Sequence, residues 1–235
     1  MKKRFGEYAD RGDYHINPPK DWPYLPVYLE KMVTARKFLG ACKPDEVVYD
    51  MGCGEGVLVN EYRRNGLNIT GMDLNYSSEF VIQRSFVESG LPDNSVDVLT
   101  CLDVIEHLNF ADQEKAFAEF ARVLKPGGRA LVTLPNLAHL ASRLSLLFAG
   151  KLVRTSSIDR HPGDRPADEY VKMIEQHFHI RSRKGIFPTF PVLSLLTINM
   201  PSHVIWLHKI YNRFLAYPNW CFLNAFVFEK PAKPK

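Results

Sequence analysis

The chain has 235 residues, 46% of them hydrophobic and 24% charged, with a formal net charge of +4, which suits one domain with a sizeable core, or one domain with an elaboration. No apolar run approaches the ~18 residues of a membrane span, and the basic start "MKKRFGEYAD" lacks the apolar stretch of a secretion signal. The four cysteines, Cys42, Cys53, Cys101 and Cys221, form no pair with metal-ligand spacing, so a disulfide framework or zinc knuckle is not expected and a reducing cytoplasm is.

Residues 1–22 are polar and aromatic and read as an irregular lead-in. "PYLPVYLEKMVTARKFLG", 23–40, has helical apolar spacing and ends at Gly40, a candidate C′ residue. A strand over 46–51 follows, then a helix over 55–66 closed by Gly66 and a second strand over 68–73 that ends in an acid. Only six residues separate Asp73 from the apolar run "FVI". A parallel crossover usually needs a dozen residues and a helix. The helix after strand 2 is therefore shortened or missing, with a short strand expected at 80–84. Further on, 95–102 reads as a strand, 111–128 as a helix with a Pro–Gly–Gly stop, and 129–136 as a strand ended by proline.

Past 136 the pattern loosens. A helix is expected over 137–150, with Leu137, Leu140, Leu144 and Leu147 on one face, then a polar loop over 151–167, a helix over 168–178 and a strand over 180–187. Residues 188–218 are apolar and aromatic but broken by prolines, and suit a lid, a homodimer surface or a shallow membrane contact. "CFLNAFVFEK" reads as the final strand. His177 and His179 read as structural, and Trp206 and Trp220 as core or partner contacts. Alternating strands and helices give an α/β fold: a Rossmann-like doubly wound, mostly parallel sheet with flanking helices and an antiparallel final strand. Three regions are expected: a lead-in and cap helix (1–45), a cofactor-binding core (46–136), and a lid region completing the sheet (137–235). The core is acidic, with 14 acidic and 8 basic side chains over 46–148; residues 149–235 carry 13 basic and 6 acidic ones. That basic part suits an acceptor carrying negative charge.

The most informative stretch is "VVYDMGCGEGVLVN", 47–60. Its glycines stand at 52, 54 and 56 with Val57 next, so the spacing is G-x-G-x-G rather than the dinucleotide G-x-G-x-x-G. Asp50 precedes them. A carboxylate there repels a pyrophosphate and suits a ligand bearing an amino group and a sulfonium. Asp73, 23 residues after Asp50, can accept from both hydroxyls of a ribose. A nicotinamide-dependent oxidoreductase is disfavoured by the glycine spacing and by Asp50. Nucleic acid is not an expected partner, since no arginine-rich or stacking motif is present.

"VVYDMGCGEG", "GMDLN", "LPDNSVDVLTCLDVIEHL" and "ARVLKPGGRALVTLPN" together resemble the class I S-adenosylmethionine-dependent methyltransferases, continuously over roughly 46–136. "PNLAHLASRLSLLFAGK" followed by "DRH" is similar to the branches of ubiquinone and methionine biosynthesis, and "EYADRGDYH" to bacterial sugar-pathway relatives. The resemblance implies that Asp50, Gly52, Cys53, Gly54 and Gly56 surround the methionine moiety, that Asp73 holds the ribose and that Leu74 covers the adenine. By the same resemblance, Ser85 and Phe86 fall where relatives carry an acid and a small residue for the adenine amino group, and Leu102 would lie over the cofactor.

Transfer to an oxygen also needs a base or a metal. "DVIEH" offers both. If a helix begins there, Asp103, Glu106 and His107 share one face and, with His161 as a distant fourth ligand, can hold Mg²⁺ or Mn²⁺, resembling metal-assisted methyltransferases. Otherwise His107 acts alone as general base. Tyr14 and His15 are expected to fold over the pocket mouth, and Asn136 to orient the acceptor. The sequence therefore points to a methyltransferase, acting on an oxygen of a polar or sugar-linked small molecule. The alternative is a non-catalytic partner subunit of the same fold that binds the cofactor or has lost it.

Overall fold

The computed structural model describes residues 3–4, 12, 14–154 and 156–232; the rest of the irregular lead-in lies outside the described residues. The strands are β1 (Val48–Met51), β2 (Ile69–Asp73), β3 (Val81–Gln83), β4 (Val96–Leu102), β5 (Leu124–Pro135), β6 (His179–Pro188) and β7 (Cys221–Glu229). They form one sheet of order β3-β2-β1-β4-β5-β7-β6. The pairings among β3, β2, β1, β4 and β5 are parallel, and β7 runs antiparallel to both neighbours. The strand order reverses between β1 and β4. In an open α/β sheet a ligand binds at such a switch point, outside the carboxyl ends of the strands.

The helices are α1 (Leu25–Leu39), α2 (Val57–Arg64), α3 (Phe110–Val123), α4 (Leu140–Ala149), α5 (Ala167–Glu175), α6 (Pro191–Asn199) and α7 (Ile205–Phe214). On one face of the sheet Phe117, Phe120, Tyr170 and Ile174 of α3 and α5 pack with Leu99, Val132 and Phe228. On the other, Met32, Ala35 and Leu39 of α1 join Val59 of α2 and Leu193 of α6 over Val48, Val98 and Leu131. Central strands covered on both faces are apolar in almost every position, which is why "VDVLTCL" shows little alternation.

Four sequence expectations change in detail. Helix α3 stops at Val123, and Leu124–Gly128 leads β5 as a bulged start with Gly127 at φ +79°, because Leu124 pairs with Val96 across the sheet. Gly40 closes α1 with a right-handed φ of −66°, not as a left-handed cap. The leucines of α4 do not build core: Leu147 is 74% exposed and Ser142 is that helix's buried side chain. Trp206 and Trp220 are exposed, not core. Between β2 and β3 there is indeed no helix. Tyr76–Ser77 turns aside and pairs antiparallel with Lys3–Arg4, so residues 74–80 form a thin wall at the end of the sheet.

Candidate active site

A cavity of about 590 Å³ opens at the switch point, within the range of small-molecule and cofactor sites. Its floor is the glycine loop. Gly52 has φ +71°, and a Cβ there would meet Val104 Cγ2 at 2.5 Å; its N–H donates to Met72 O at 2.7 Å. Glycine is therefore required both by the backbone and by the close approach of the next loop. Gly56 has φ +68° as N-cap of α2. It faces Val81 and Asn60 and does not line the cavity, so its role is to turn the chain into the helix rather than to touch a ligand.

Asp50 sits beneath the loop, buried, with Oδ1 accepting Thr100 Oγ1–H at 2.6 Å. Burial raises its pKa to about 7 against the opposing effects of Thr100 and Lys31. Asp73, at the end of β2, accepts Gly54 N–H at 2.9 Å and Asn75 N–H at 2.8 Å, one on each oxygen. Each oxygen keeps lone-pair capacity for a further donor. Burial raises its pKa too. Two acids on adjacent strand ends, a backbone loop without side chains, and an apolar wall of Leu74, Phe86 and Leu102 line one cavity together with Cys53 and Ser85. Ser85 Oγ accepts Val87 N–H at 3.3 Å as cap of the turn Phe86–Glu88.

Asp103 is the main departure from the expected geometry. Its φ of +56° is left-handed, and only a short 3₁₀ turn, Ile105–His107, follows. The predicted single helical face is absent, and the Asp103 carboxylate is taken up by Tyr24, Lys31 and Thr133. It pairs with Lys31 Nζ at 2.7 Å and accepts from the hydroxyls of Tyr24 and Thr133. Burial alone would raise its pKa; the Lys31 ammonium, then Thr133 and Tyr24, more than reverse this, and the carboxyl lies below its usual range. Glu106 titrates the other way: burial first, then the Asp103 charge, raises it well above the carboxylate range. Asp103 is thus the ionised member of the pair and Glu106 the protonated one.

The four-residue metal set accordingly does not assemble. Glu106, His107 and His161 bring one ligand atom each to within 4.8 Å of one another, without Asp103. The rings of His107 and His161 meet edge to face at 4.7 Å. His107 Nδ1 lies 2.9 Å from the carbonyl oxygen of Arg160. A carbonyl only accepts, so Nδ1 carries the proton and Nε2 keeps the lone pair. Lost hydration on the packed side of the ring, then His161, hold its pKa below the ordinary imidazole value. His107, His161, Arg160 and Ser156 line the outer part of the cavity.

Tyr14 and His15 line the mouth as well. The His15 N–H donates to Glu55 Oε1 at 3.1 Å and its ring Nδ1 lies 2.6 Å from Oε2, so the lead-in is tied to the glycine loop itself. Asn136 does not reach the cavity. It is buried, its NH₂ donates to Cys221 O and its oxygen accepts from Ala138 and Ala167 N–H, so its amide joins β5, α5 and β7 instead of meeting a ligand. The sequence reading missed Tyr24, the N-cap of α1, and Tyr28 and Lys31 within it, which all line the cavity. The available signal is Lys31 itself, a lysine on the apolar stripe of a helix, four residues after Val27.

The comparisons agree with this geometry. Residues 49–132 match the family described as "Methyltransferase domain". A ubiquinone biosynthesis O-methyltransferase of Paracidovorax citrulli is 29% identical over 144 residues, 54% of this chain and 57% of the relative; the chain thus spans little more than half of that protein's length. A crystal structure of a Pyrococcus horikoshii protein shares the fold over 96% of this chain and 99% of its own, with a TM-score of 0.61 at 14% identity. A SAM-dependent methyltransferase of Archaeoglobus fulgidus does so over 86% and 93%, with a TM-score of 0.52 at 19% identity. Residues 49–132 are thus a methyltransferase domain, and in domain match, strand order and relatives the chain is similar to the class I S-adenosylmethionine-dependent methyltransferases.

Proposed function

We propose that the protein transfers a methyl group from S-adenosylmethionine to an oxygen of a polar small-molecule acceptor. The observation that carries this reading is the coexistence, in one cavity, of the acidic glycine loop and a neutral imidazole with its Nε2 lone pair available. S-adenosylmethionine supplies an electrophilic carbon on a sulfonium, so the chain's own tasks are orientation and proton removal. The donor set fits it. Asp50 would accept from the ammonium, Gly52, Cys53 and Gly54 would let the backbone approach, and Asp73 would take the ribose hydroxyls. Leu74, Ser85, Phe86 and Leu102 would enclose the adenine. His107 Nε2 would take the acceptor's proton, with Nδ1–H held by the Arg160 carbonyl. Tyr14 and His15 would close the mouth over the acceptor.

Arg160 brings a cation to the acceptor side, which suits a negatively charged or sugar-linked molecule. The name of the Paracidovorax citrulli relative supports oxygen as the acceptor atom. Mg²⁺ or Mn²⁺ suits the site poorly: hard ions prefer several oxygens, and one carboxyl held protonated beside two imidazoles does not provide them. No step is routed through an ion.

A second reading, a non-catalytic partner subunit, is favoured by one observation. The β2–β3 link has no helix, and none of Leu74, Asn75, Ser85 and Phe86 offers a carboxylate to the adenine amino group. Calorimetric titration with S-adenosylmethionine and its demethylated product, followed by an assay of methyl transfer, separates the two: binding without transfer to any acceptor favours the partner. Micromolar binding together with methyl transfer to members of a hydroxylated acceptor panel supports the enzyme. No binding of either ligand overturns it in favour of the partner.

A further inference from the structure

Helices α6 and α7 carry a surface that the cavity does not use. α7 turns its polar side inward: Thr197 Oγ1 of α6 lies 2.8 Å from His208 Nε2, and Asn212 Oδ1 accepts Phe187 N–H at 2.8 Å, with all three polar side chains buried. Its outward face shows Trp206, Ile210, Phe214 and, just beyond the helix, Tyr217, at 62%, 47%, 68% and 56% exposure. Exposed Lys209 and Arg213 lie on the same stripe. α6 does likewise with Val192, Leu195 and Ile198, at 71%, 62% and 61%. The spacing of three and four residues puts each set on one helical face. This inverts the ordinary surface helix, whose apolar side faces the core. An apolar face of this extent, with cations set into it, marks a docking surface.

The charge says what docks. Residues 188–220 contain no Asp or Glu while carrying Lys209, Arg213 and His203, and residues 139–158 contain none while carrying Arg143, Lys151 and Arg154. The two segments adjoin: His139 Nδ1 lies 3.1 Å from Thr189 Oγ1, and its Nε2 3.1 Å from Val153 O. A second copy of this chain is a poor occupant, because a two-fold contact sets this face, with its cations and no acid over 188–220, against an identical one. Apolar side chains flanked by tryptophan, tyrosine and cations match the interface of a bilayer with anionic headgroups. No described helix is long and apolar enough to cross a membrane. We infer that the α6–α7 face docks flat on an anionic lipid surface, with Trp206, Ile210 and Phe214 below the headgroups and Lys209 and Arg213 among the phosphates. This does not depend on the cofactor or on the acceptor.

The test is co-sedimentation of the full chain with vesicles of phosphatidylcholine alone and of equal parts phosphatidylcholine and phosphatidylglycerol. Pelleting with the anionic vesicles, weaker with the neutral ones and weakened by salt, is expected. At about fivefold per cation, Lys209→Gln with Arg213→Gln lowers partitioning about 30-fold. Trp206→Ser with Phe214→Ser abolishes it while circular dichroism and melting stay unchanged, since both side chains are exposed. Failure to pellet with anionic vesicles overturns the inference, as does pelleting that neither double variant reduces. Light scattering that shows a dimer dispersed by Trp206→Ser with Phe214→Ser also overturns it, and assigns the face to a second copy.

Discussion

Replacing Lys31 with Met tests the charge arrangement beside the cavity. Lys31 and Asp103 have side-chain exposures of only 7% and 14%, and removing one partner of a buried pair leaves an uncompensated charge, at a cost of about 3–5 kcal/mol. Asp103 keeps its donors from Tyr24 and Thr133, so the low end, about 3 kcal/mol, applies. For a chain of this size that is a fall in Tm of about 6–12 °C. Met retains most of the aliphatic stem of Lys31 and lacks the ammonium, which lies 5.6 and 5.3 Å from the ring centroids of Tyr24 and Tyr28, so the loss reports charge more than volume. The sign with pH follows from the depressed carboxyl of Asp103: its stabilising contribution is complete above the unfolded carboxylate pKa and disappears as pH falls through the lower folded value. The difference between wild type and Lys31→Met therefore shrinks on acidification. Adding Asp103→Asn removes the stranded charge, so the double variant should be more stable than Lys31→Met alone. Urea unfolding of the four proteins, near neutral pH and again in acid, completes the cycle. A cost under about 1 kcal/mol for Lys31→Met, or a double variant no better than the single one, refutes the buried-charge reasoning.

Other outcomes follow from the same geometry. His107→Gln should slow methyl transfer about 10²–10⁴-fold with cofactor affinity nearly unchanged. In the wild type the rate should rise through a pKa below that of a free histidine and then stay level, because the neutral ring is the active form and its pKa is depressed; a limb that survives in His107→Gln assigns the base elsewhere. Asp73→Ala frees the N–H groups of Gly54 and Asn75 as well as removing the ribose contact, and calorimetry should show affinity for the demethylated cofactor falling at least about tenfold. Gly52→Ala meets both a left-handed φ and Val104 at 2.5 Å, so melting should reveal a loss of about 1–3 kcal/mol and cofactor binding should weaken. Prolonged chelation should leave turnover unchanged; loss restored by Mn²⁺ would reinstate the metal-assisted reading.

The strand–turn–helix of the glycine loop is determined locally: the apolar run "VVY", the turn glycines and the closing Gly66 each act over a few residues, and so sequence spacing reveals them. The missing helix after β2 is legible for the same reason, as a simple shortage of residues before Val81. Asp103 is not. Its left-handed backbone and its pairing with Lys31, 72 positions away, come from the docking of α1 against the sheet ends, which no local pattern encodes. The same holds for His15 on Glu55, 40 positions apart, and for Asn136, whose amide is claimed by α5 and β7. The sequence by itself determined the alternation of elements, the acidic loop and the residue types offered to the cavity. Tertiary structure decided which of them converge, which carboxyl is ionised and which apolar side chains of α6 and α7 stay outside, because burial and long-range pairing set those energies and neither exists until the sheet is closed over by its helices.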